Sequence, residues 1–385
     1  MLILIINSGS SSIKYQVVDV PGETKIAQGI IERIGGASRM IHKTADNKTV
    51  CKDLFLADHH EACEHLLAAV GELGEISAIG HRIVHGGVSG TSSKIITDEV
   101  LKEIEAASEF APFHNPANII GICACRKAFG DYIPQVAVFD TAFHKNLPPR
   151  VYLYPVPYKY YTDYGIRRFG FHGISHRYAS QRCAELMGRE DICIITCHLG
   201  NGCSLAAIEN GLCIDTSMGM TPNEGLMMGT RSGSIDPAII SYIAKREGLS
   251  NEEILEICNR QAGLLGISGI SNDYRDLAKS DNPQAKLALE MQRYQIVKMI
   301  GSYLTAMNGA DAIVFTGGIG ENAPELRQYV CDHLHFAGVV LDNSKNCNDK
   351  GERKISKPSS KISVYVIPAN EELAIAKETY TYLQG

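Results

Sequence analysis

Two stretches of this chain, beginning about 190 positions apart, follow one plan. The apolar run at 2–6 enters Asn7-Ser8-Gly9-Ser10-Ser11-Ser12 and leaves through Ile13-Lys14-Tyr15-Gln16-Val17-Val18. Later, the run at 192–196 enters Cys197-His198-Leu199-Gly200-Asn201-Gly202-Cys203, continues through 204–208 and turns at Glu209-Asn210-Gly211. Short apolar runs bounded by Gly, Ser and Asn read as strands joined by tight loops. Recurrence of strand, Gly/Ser loop, strand, turn and strand points to a duplicated domain, although two unrelated hairpins would leave the same pattern. A length of 385 residues also exceeds what one hydrophobic core usually supports.

Two further segments read strand, loop, helix. Ala312-Ile313-Val314-Phe315 runs into Thr316-Gly317-Gly318-Ile319-Gly320-Glu321-Asn322, with Pro324 suited to the first turn of a helix. Val364-Tyr365-Val366-Ile367 runs into Pro368-Ala369-Asn370 and a helix over 371–383, with Asn370 as its N-cap and Glu371 and Glu372 at its positive end. Helices are also predicted near 99–109, 174–187, 236–247, 251–258 and 284–308, and the polar run 343–360 reads as a loop. Strands mixed with helices give the α/β class, with sheets covered by helices.

A formal net charge of -6 gives no general attraction to nucleic acid or to an anionic membrane surface. No apolar stretch approaches a membrane-spanning length. The run at 2–6 lacks a preceding basic region, and Asn7-Ser8-Gly9 ends it too soon for a signal peptide. The 12 cysteines show no C-x2-C pair, so reduced, mostly buried thiols in a cytoplasmic protein are expected. An anion site in such a chain needs its own local cations.

Those cations sit in glycine-rich surroundings. The segment from Asp215 to Arg231 combines small hydroxyl residues, glycines and one arginine without helical or strand alternation. Glycine lets backbone approach a ligand, and the arginine fork suits phosphoryl oxygens. Neither a Walker loop nor a G-x-G-x-x-G fingerprint is present, so any phosphate chemistry belongs to another architecture. Residues 7–12 with Lys14 supply the N–H groups, hydroxyls and ammonium of a phosphate cradle, and suit a plain hairpin turn equally well. His81-Arg82-Ile83-Val84-His85-Gly86-Gly87 offers an arginine for an anion, or two histidines for a metal. Asp140, in Phe139-Asp140-Thr141-Ala142-Phe143-His144, stands at a strand end. Arg167-Arg168-Phe169-Gly170-Phe171-His172-Gly173 gathers cations, aromatics and a histidine between glycines.

Taken together and in order, these motifs resemble the acetate kinase family, within the superfamily of sugar kinases, heat-shock ATPases and actin. The resemblance runs from Asn7 to Glu371 and includes His198-Leu199-Gly200-Asn201-Gly202 and Thr316-Gly317-Gly318-Ile319-Gly320-Glu321-Asn322. It implies two duplicated actin-like ATPase domains, ribonuclease H-like sheets with helices, around a central cleft. Residues 1–145 with 374–385 would form the carboxylate-side domain, and 146–373 the nucleotide-binding and dimerising domain.

The resemblance also implies an activity: Mg²⁺-dependent (or Mn²⁺-dependent), reversible transfer of the ATP γ-phosphoryl group to acetate, giving acetyl phosphate and ADP. Asn7 and Glu371 map to the metal region. Lys14, His198, Leu199, Gly200, Asn201, Gly202, Asp273, Tyr274, Arg275 and the loop Gly317, Gly318, Ile319, Gly320, Glu321 and Asn322 map to the nucleotide. Arg82 maps to the substrate carboxylate, and Val84, Phe113 and Pro222 to the acyl pocket. Asp140 falls on the catalytic acid/base position, His172 and Arg231 on the transition-state stabilisers. Family members commonly carry leucine at Phe113 and Asn223 and aspartate at Ser234; the bulkier Phe113 ring would favour acetate over propionate. A propionate or broad short-chain kinase is the nearest alternative activity, and an ATP-driven actin-like switch the alternative from another class. The family also implies a homodimer.

Overall fold

The computed structural model of the chain describes residues 1–112, 114–348 and 350–384. Two compact units emerge, Met1–Phe143 with Asn370–Gly385, and His144–Ala369. The unit boundaries thus fall at 143/144 and 369/370, against the 145/146 and 373/374 read from the sequence.

In the first unit, strands β1 (Leu2–Gly9), β2 (Ser12–Asp19), β3 (Thr24–Glu32), β4 (Gly36–Thr44), β5 (Thr49–Leu56), β6 (Ile76–Ile83), β7 (Lys94–Ile95) and β8 (Gln135–Phe139) form one sheet. Its order is β5-β4-β3-β2-β1-β6-β8-β7. In the second unit, β9 (Cys193–Leu199), β10 (Cys203–Glu209), β11 (Leu212–Thr216), β12 (Ala312–Thr316), β13 (Arg353–Lys354) and β14 (Ser363–Val366) pair as β11-β10-β9-β12-β14-β13. Within each sheet lies the same five-strand core, β3-β2-β1-β6-β8 and β11-β10-β9-β12-β14. Three strands are antiparallel and the next two join in parallel. The recurrence read from the sequence is therefore a duplicated topology.

The loops expected at 7–12 and 197–203 are shorter than the sequence suggested. Asn7, Ser8 and Gly9 pair with Lys14, Ile13 and Ser12 across a hairpin, leaving only Ser10 and Ser11 outside the strands. Likewise His198 and Leu199 pair with Ser204 and Cys203, so the turn is 200–202. Polar side chains on one face of a strand are compatible with full ladder pairing, because successive residues point to opposite faces. The run 343–360 is also not all loop: it contains the helix Asn343–Cys347 and β13.

Alternation along β1 feeds both faces of the first sheet. Leu4 and Ile6 join a cluster with Ala62 and Leu66 of the helix His59–Gly71, and with Ala124 and Cys125 of the helix Asn115–Phe129. The C-terminal helix Glu371–Gln384 also packs on the sheet, meeting β6 at Gly80. A Cβ at Gly80 would lie 2.5 Å from Thr379 Oγ1 and 2.8 Å from Ile375 Cγ2. Among the described residues, no helix is long and apolar enough to cross a membrane.

Candidate active site

Parallel pairing of β6 and β8 sets the site in the first unit. Arg82 lies beside Val138 and Ile83 beside Phe139, so both strands end together. Asp140, the residue after β8, donates its backbone N–H to the Ile83 carbonyl at 2.9 Å. Its carboxylate accepts from Arg82 Nε at 3.3 Å and Nη2 at 2.5 Å. Glu371, at the start of the C-terminal helix, brings Oε2 to 3.7 Å from Arg82 Nε. Burial works against the Arg82 charge, but Asp140 and Glu371 more than offset it and hold the guanidinium above its usual range. Burial pushes the Glu371 carboxyl up; Arg82 pulls it down, Glu372 pushes it up and Lys14 again pulls it down. Lys14 is exposed and faces Asn7 across the β1–β2 hairpin.

The loop after β6 is fixed by side chains distant in sequence. Asn118 Oδ1 accepts from Val84 N at 3.2 Å, while its Nδ2 donates to the Ser8 carbonyl at 2.9 Å. Asn115 exchanges bonds with the backbone of His85 at 3.1 and 2.9 Å. Gly86 and Gly90 pack backbone to backbone, where a Cβ on Gly90 would stand 2.2 Å from Gly86 Cα. Val84 is buried; Phe113 lies outside the described residues.

The second unit assembles a histidine cluster under the β9–β10 turn. His172 precedes the helix Gly173–Met187 with φ 54°, a left-handed conformation uncommon for a residue bearing a side chain. Its Nδ1 lies 2.8 Å from Ser204 Oγ, and its ring lies 4.2 Å from that of His198. A Cβ built on Gly202 would stand 3.1 Å from His172 Cε1, 3.2 Å from Nε2 and 3.6 Å from Arg231 Nη1. The imidazole edge and the guanidinium therefore flank one point on that turn. Arg231 Nη1 donates to the Pro222 carbonyl at 3.0 Å.

Arg168 fixes the loop that carries Pro222, a task the sequence did not suggest. Its Nη1 reaches the carbonyls of Thr216, Ser217 and Met218 at 3.1, 3.2 and 3.0 Å, and its Nη2 reaches Glu224 at 2.6 Å. Tyr154 also donates to Glu224 and accepts from Met220 N at 2.8 Å. Much of the segment 215–231 is thus framework: Gly229 N donates to the Asn201 carbonyl at 2.9 Å, and a Cβ at Gly229 would collide with Asn201 Oδ1.

A cavity of about 780 Å³ opens beside this turn, within the size range of small-molecule sites. Gly200, Asn201, Asp273, Tyr274, Arg275, Gly318, Ile319 and Asn322 line it. Sequence reasoning had not singled out Asn272, Ala278, Lys279, Ala323 and Glu325, which line it too. His198, Leu199, Gly202, Gly317, Gly320 and Glu321 are not among its lining residues. Leu199 is buried, and a Cβ on Gly317 would stand 2.8 Å from the Leu199 carbonyl oxygen, so those two backbones must touch. Glu321 accepts from Ala369 N at 2.9 Å. Asp273 caps the helix Tyr274–Ala278 and pairs with Arg275 at 2.6 Å; these bonds pull its carboxyl down to about 2. Tyr274 is buried and accepts from Arg293 at 2.6 Å.

The chain matches the acetokinase family over residues 2–377. It is 51% identical over 393 residues to the acetate kinase of Thermoanaerobacterium thermosaccharolyticum, covering 98% of both chains. Its fold is similar to the crystal structure of Porphyromonas gingivalis acetate kinase, with TM-score 0.93, 43% identity and 99% of each chain covered. It is also similar to a propionate kinase from Francisella tularensis, with TM-score 0.94, 41% identity and 99% of each chain covered.

Proposed function

From the premise that the chain belongs to the acetokinase family, we propose that it is an acetate kinase that transfers the γ-phosphoryl group of ATP to acetate and runs in both directions. An acetate oxygen attacks phosphorus in line, the bond to the β-phosphate oxygen breaks, and ADP leaves with that electron pair. Acetate is ionised at neutral pH, so no proton has to be removed from it. The work left to the protein is positioning and charge neutralisation.

The observation that carries this reading is the turn 200–202. His172 and Arg231 flank it at Gly202, while Gly200 and Asn201 line the large cavity. In this reading the nucleotide takes that cavity, Lys14 serves its phosphates, and His172 and Arg231 stabilise the transferring group. Arg82, held by Asp140, takes the acetate carboxylate, with Val84, Phe113 and Pro222 around the methyl group.

Members of this family generally need a divalent cation, and we assign Mg²⁺ (or Mn²⁺) to Asn7 and Glu371. One carboxylate and one amide oxygen suit Mg²⁺, which keeps waters and relies on substrate phosphates instead of an all-protein cage. Among the described residues no group of three His, Cys, Asp or Glu side chains forms such a cage. When bound, the ion neutralises phosphate charge.

Two subsidiary proposals accompany this one. The helix Ala238–Glu247 buries none of its residues although it carries Ile239, Ile240, Tyr242 and Ile243, which supports a homodimer formed through the second unit. The 12 free cysteines support a cytoplasmic location. Light scattering that returned the mass of a single chain would count against the dimer.

Propionate is the second reading, motivated by the Francisella tularensis relative. One methylene is worth only about 1–3 kcal/mol of discrimination. Trapping acyl phosphate with hydroxylamine, with ATP, Mg²⁺ and acetate, propionate or butyrate in turn, tests both. Acetate should give the highest specificity constant. ATP hydrolysis indifferent to the added acid would instead mark an ATP-driven switch.

A further inference from the structure

Behind His172 runs a chain of hydrogen bonds with nothing charged in it. Ser204 Oγ lies 2.8 Å from His172 Nδ1 and 2.7 Å from His176 Nε2. The other nitrogen of His176, Nδ1, lies 2.7 Å from Thr196 Oγ1. Ser204, His176 and Thr196 are fully buried. Ser204 and Thr196 come from the paired strands β10 and β9, and His176 comes from the helix that His172 opens.

A hydroxyl has one proton to donate, and a neutral imidazole has one N–H and one acceptor nitrogen. Burial pushes the His176 pKa well below its ordinary value, with His144 and His198 acting in the same direction, so this ring is neutral. Ser204 Oγ has two ring partners, His172 Nδ1 and His176 Nε2, and with its proton placed on one or the other the four groups order in two ways. In the first, Thr196 donates to His176 Nδ1, His176 Nε2–H donates to Ser204, and Ser204 donates to His172 Nδ1. The proton of a neutral His172 is then on Nε2, the nitrogen that faces Gly202. In the second, every bond reverses and His172 carries a proton on Nδ1. A neutral ring would then present a lone pair toward Gly202, and only an imidazolium would present a donor. The Arg231 guanidinium, which flanks the same turn, disfavours a second positive charge there.

We propose that Ser204 and His176, anchored at Thr196, are positioning residues that hold His172 in the tautomer with its proton on Nε2. The inference rests on the reading of His172 as a phosphoryl-facing group and deepens it. A fixed Nε2–H is a preorganised donor for an equatorial phosphoryl oxygen, which is the kind of group that acts on the transition state without reorganising. Ser204 and His176 act through His172 and touch no substrate.

The test reads the tautomer directly. In the full-length protein labelled with ¹⁵N-histidine, near neutral pH and without ligands, the His172 resonances should show Nε2 protonated and Nδ1 bare. Ser204→Ala should mix the two tautomers and lower kcat by about tenfold or more, as a misplaced imidazole proton does elsewhere, with the KM values for ATP and acetate changed less than about twofold. Thr196→Val, which keeps the shape and removes the terminal donor, should move both readouts in the same direction. A wild-type ring protonated on Nδ1, or on both nitrogens, overturns the proposal. So does a Ser204→Ala enzyme with unaltered tautomer and turnover. If the wild-type protein makes no acyl phosphate, the functional reading fails, while the wild-type spectrum still decides the tautomer.

Discussion

Arg82 and Asp140 face each other from the ends of adjacent parallel strands, and both oxygens of the Asp140 carboxylate accept from the guanidinium. A carboxylate spent in this way orients a cation; it is poorly placed to collect protons. Asp140→Asn keeps the shape and removes the charge. It should cost about 2–3 kcal/mol of acetate recognition, in line with a hydrogen bond to a charged group. Steady-state kinetics should show this chiefly in KM for acetate, with the acid limb of the pH–rate profile unchanged. Loss of that limb would instead make Asp140 a base.

Arg231 is expected to act on the transition state. Removing such a cation costs about 10³-fold or more in turnover, so Arg231→Ala should lose at least that in kcat while still binding ATP. Arg231→Lys keeps the charge but not the planar fork that also grips the Pro222 carbonyl. It should recover only part of the loss. A fully active Arg231→Ala enzyme would remove Arg231 from the site.

How far these residues could be read from the sequence depended on the range of their interactions. The duplicated strand pattern and the helix caps were legible because local spacing and turn chemistry report them, whereas the cavity-lining Gly200 and Gly318 were marked by the family resemblance. Asn370 accepts from Leu373 N at 3.3 Å at the start of the final helix, as its position before two glutamates suggested. Arg168 was not legible: its partners are 48 to 56 residues away, and no local pattern announces that contact. Paired arginines commonly mark a solvated turn, but here Arg167 stacks on Tyr152 at 3.9 Å and Arg168 ties down three carbonyls. The histidine relay was hidden for the same reason. Ser204 and Thr196 read as ordinary strand residues until the β9–β10 register brings them beneath His176.

Acid should weaken the second unit through His144. This ring is fully buried, with Nε2 at 3.0 Å from the Phe171 carbonyl, and burial pushes its pKa down to about 4. The unfolded chain takes up this proton as pH falls through about 6.5, whereas the folded chain resists until about 4. Its contribution is thus intact above about 6.5 and is lost as pH drops through that window, by about 3 kcal/mol in all. His144→Gln should show a shallower decline in urea resistance between those limits, read by tyrosine fluorescence because the chain has no tryptophan. Identical pH slopes for the two proteins would contradict this.

Arg327 links the cavity proposed for the nucleotide to a stretch that the sequence presents as loop. Its side chain is buried and donates to the carbonyls of Gly320 and Glu321 at 2.7 and 2.8 Å. It also meets Asn346 at Oδ1 and at the backbone oxygen, both at 2.8 Å. Burial draws its pKa down to about 10, still charged at neutral pH. These donors satisfy carbonyls of the short helix Gly317–Asn322, whose Gly318, Ile319 and Asn322 line the cavity. Arg327→Met preserves much of the stem and leaves those acceptors without donors, so the folded state should lose about 3 kcal/mol. A loosened helix should raise KM for ATP by about tenfold, the equivalent of about 1.4 kcal/mol, and leave KM for acetate unchanged. Thermal melts and two-substrate kinetics separate the effects. A destabilised variant with unchanged KM for ATP would confine Arg327 to packing, because only a shift in the cavity lining couples the buried guanidinium to the nucleotide.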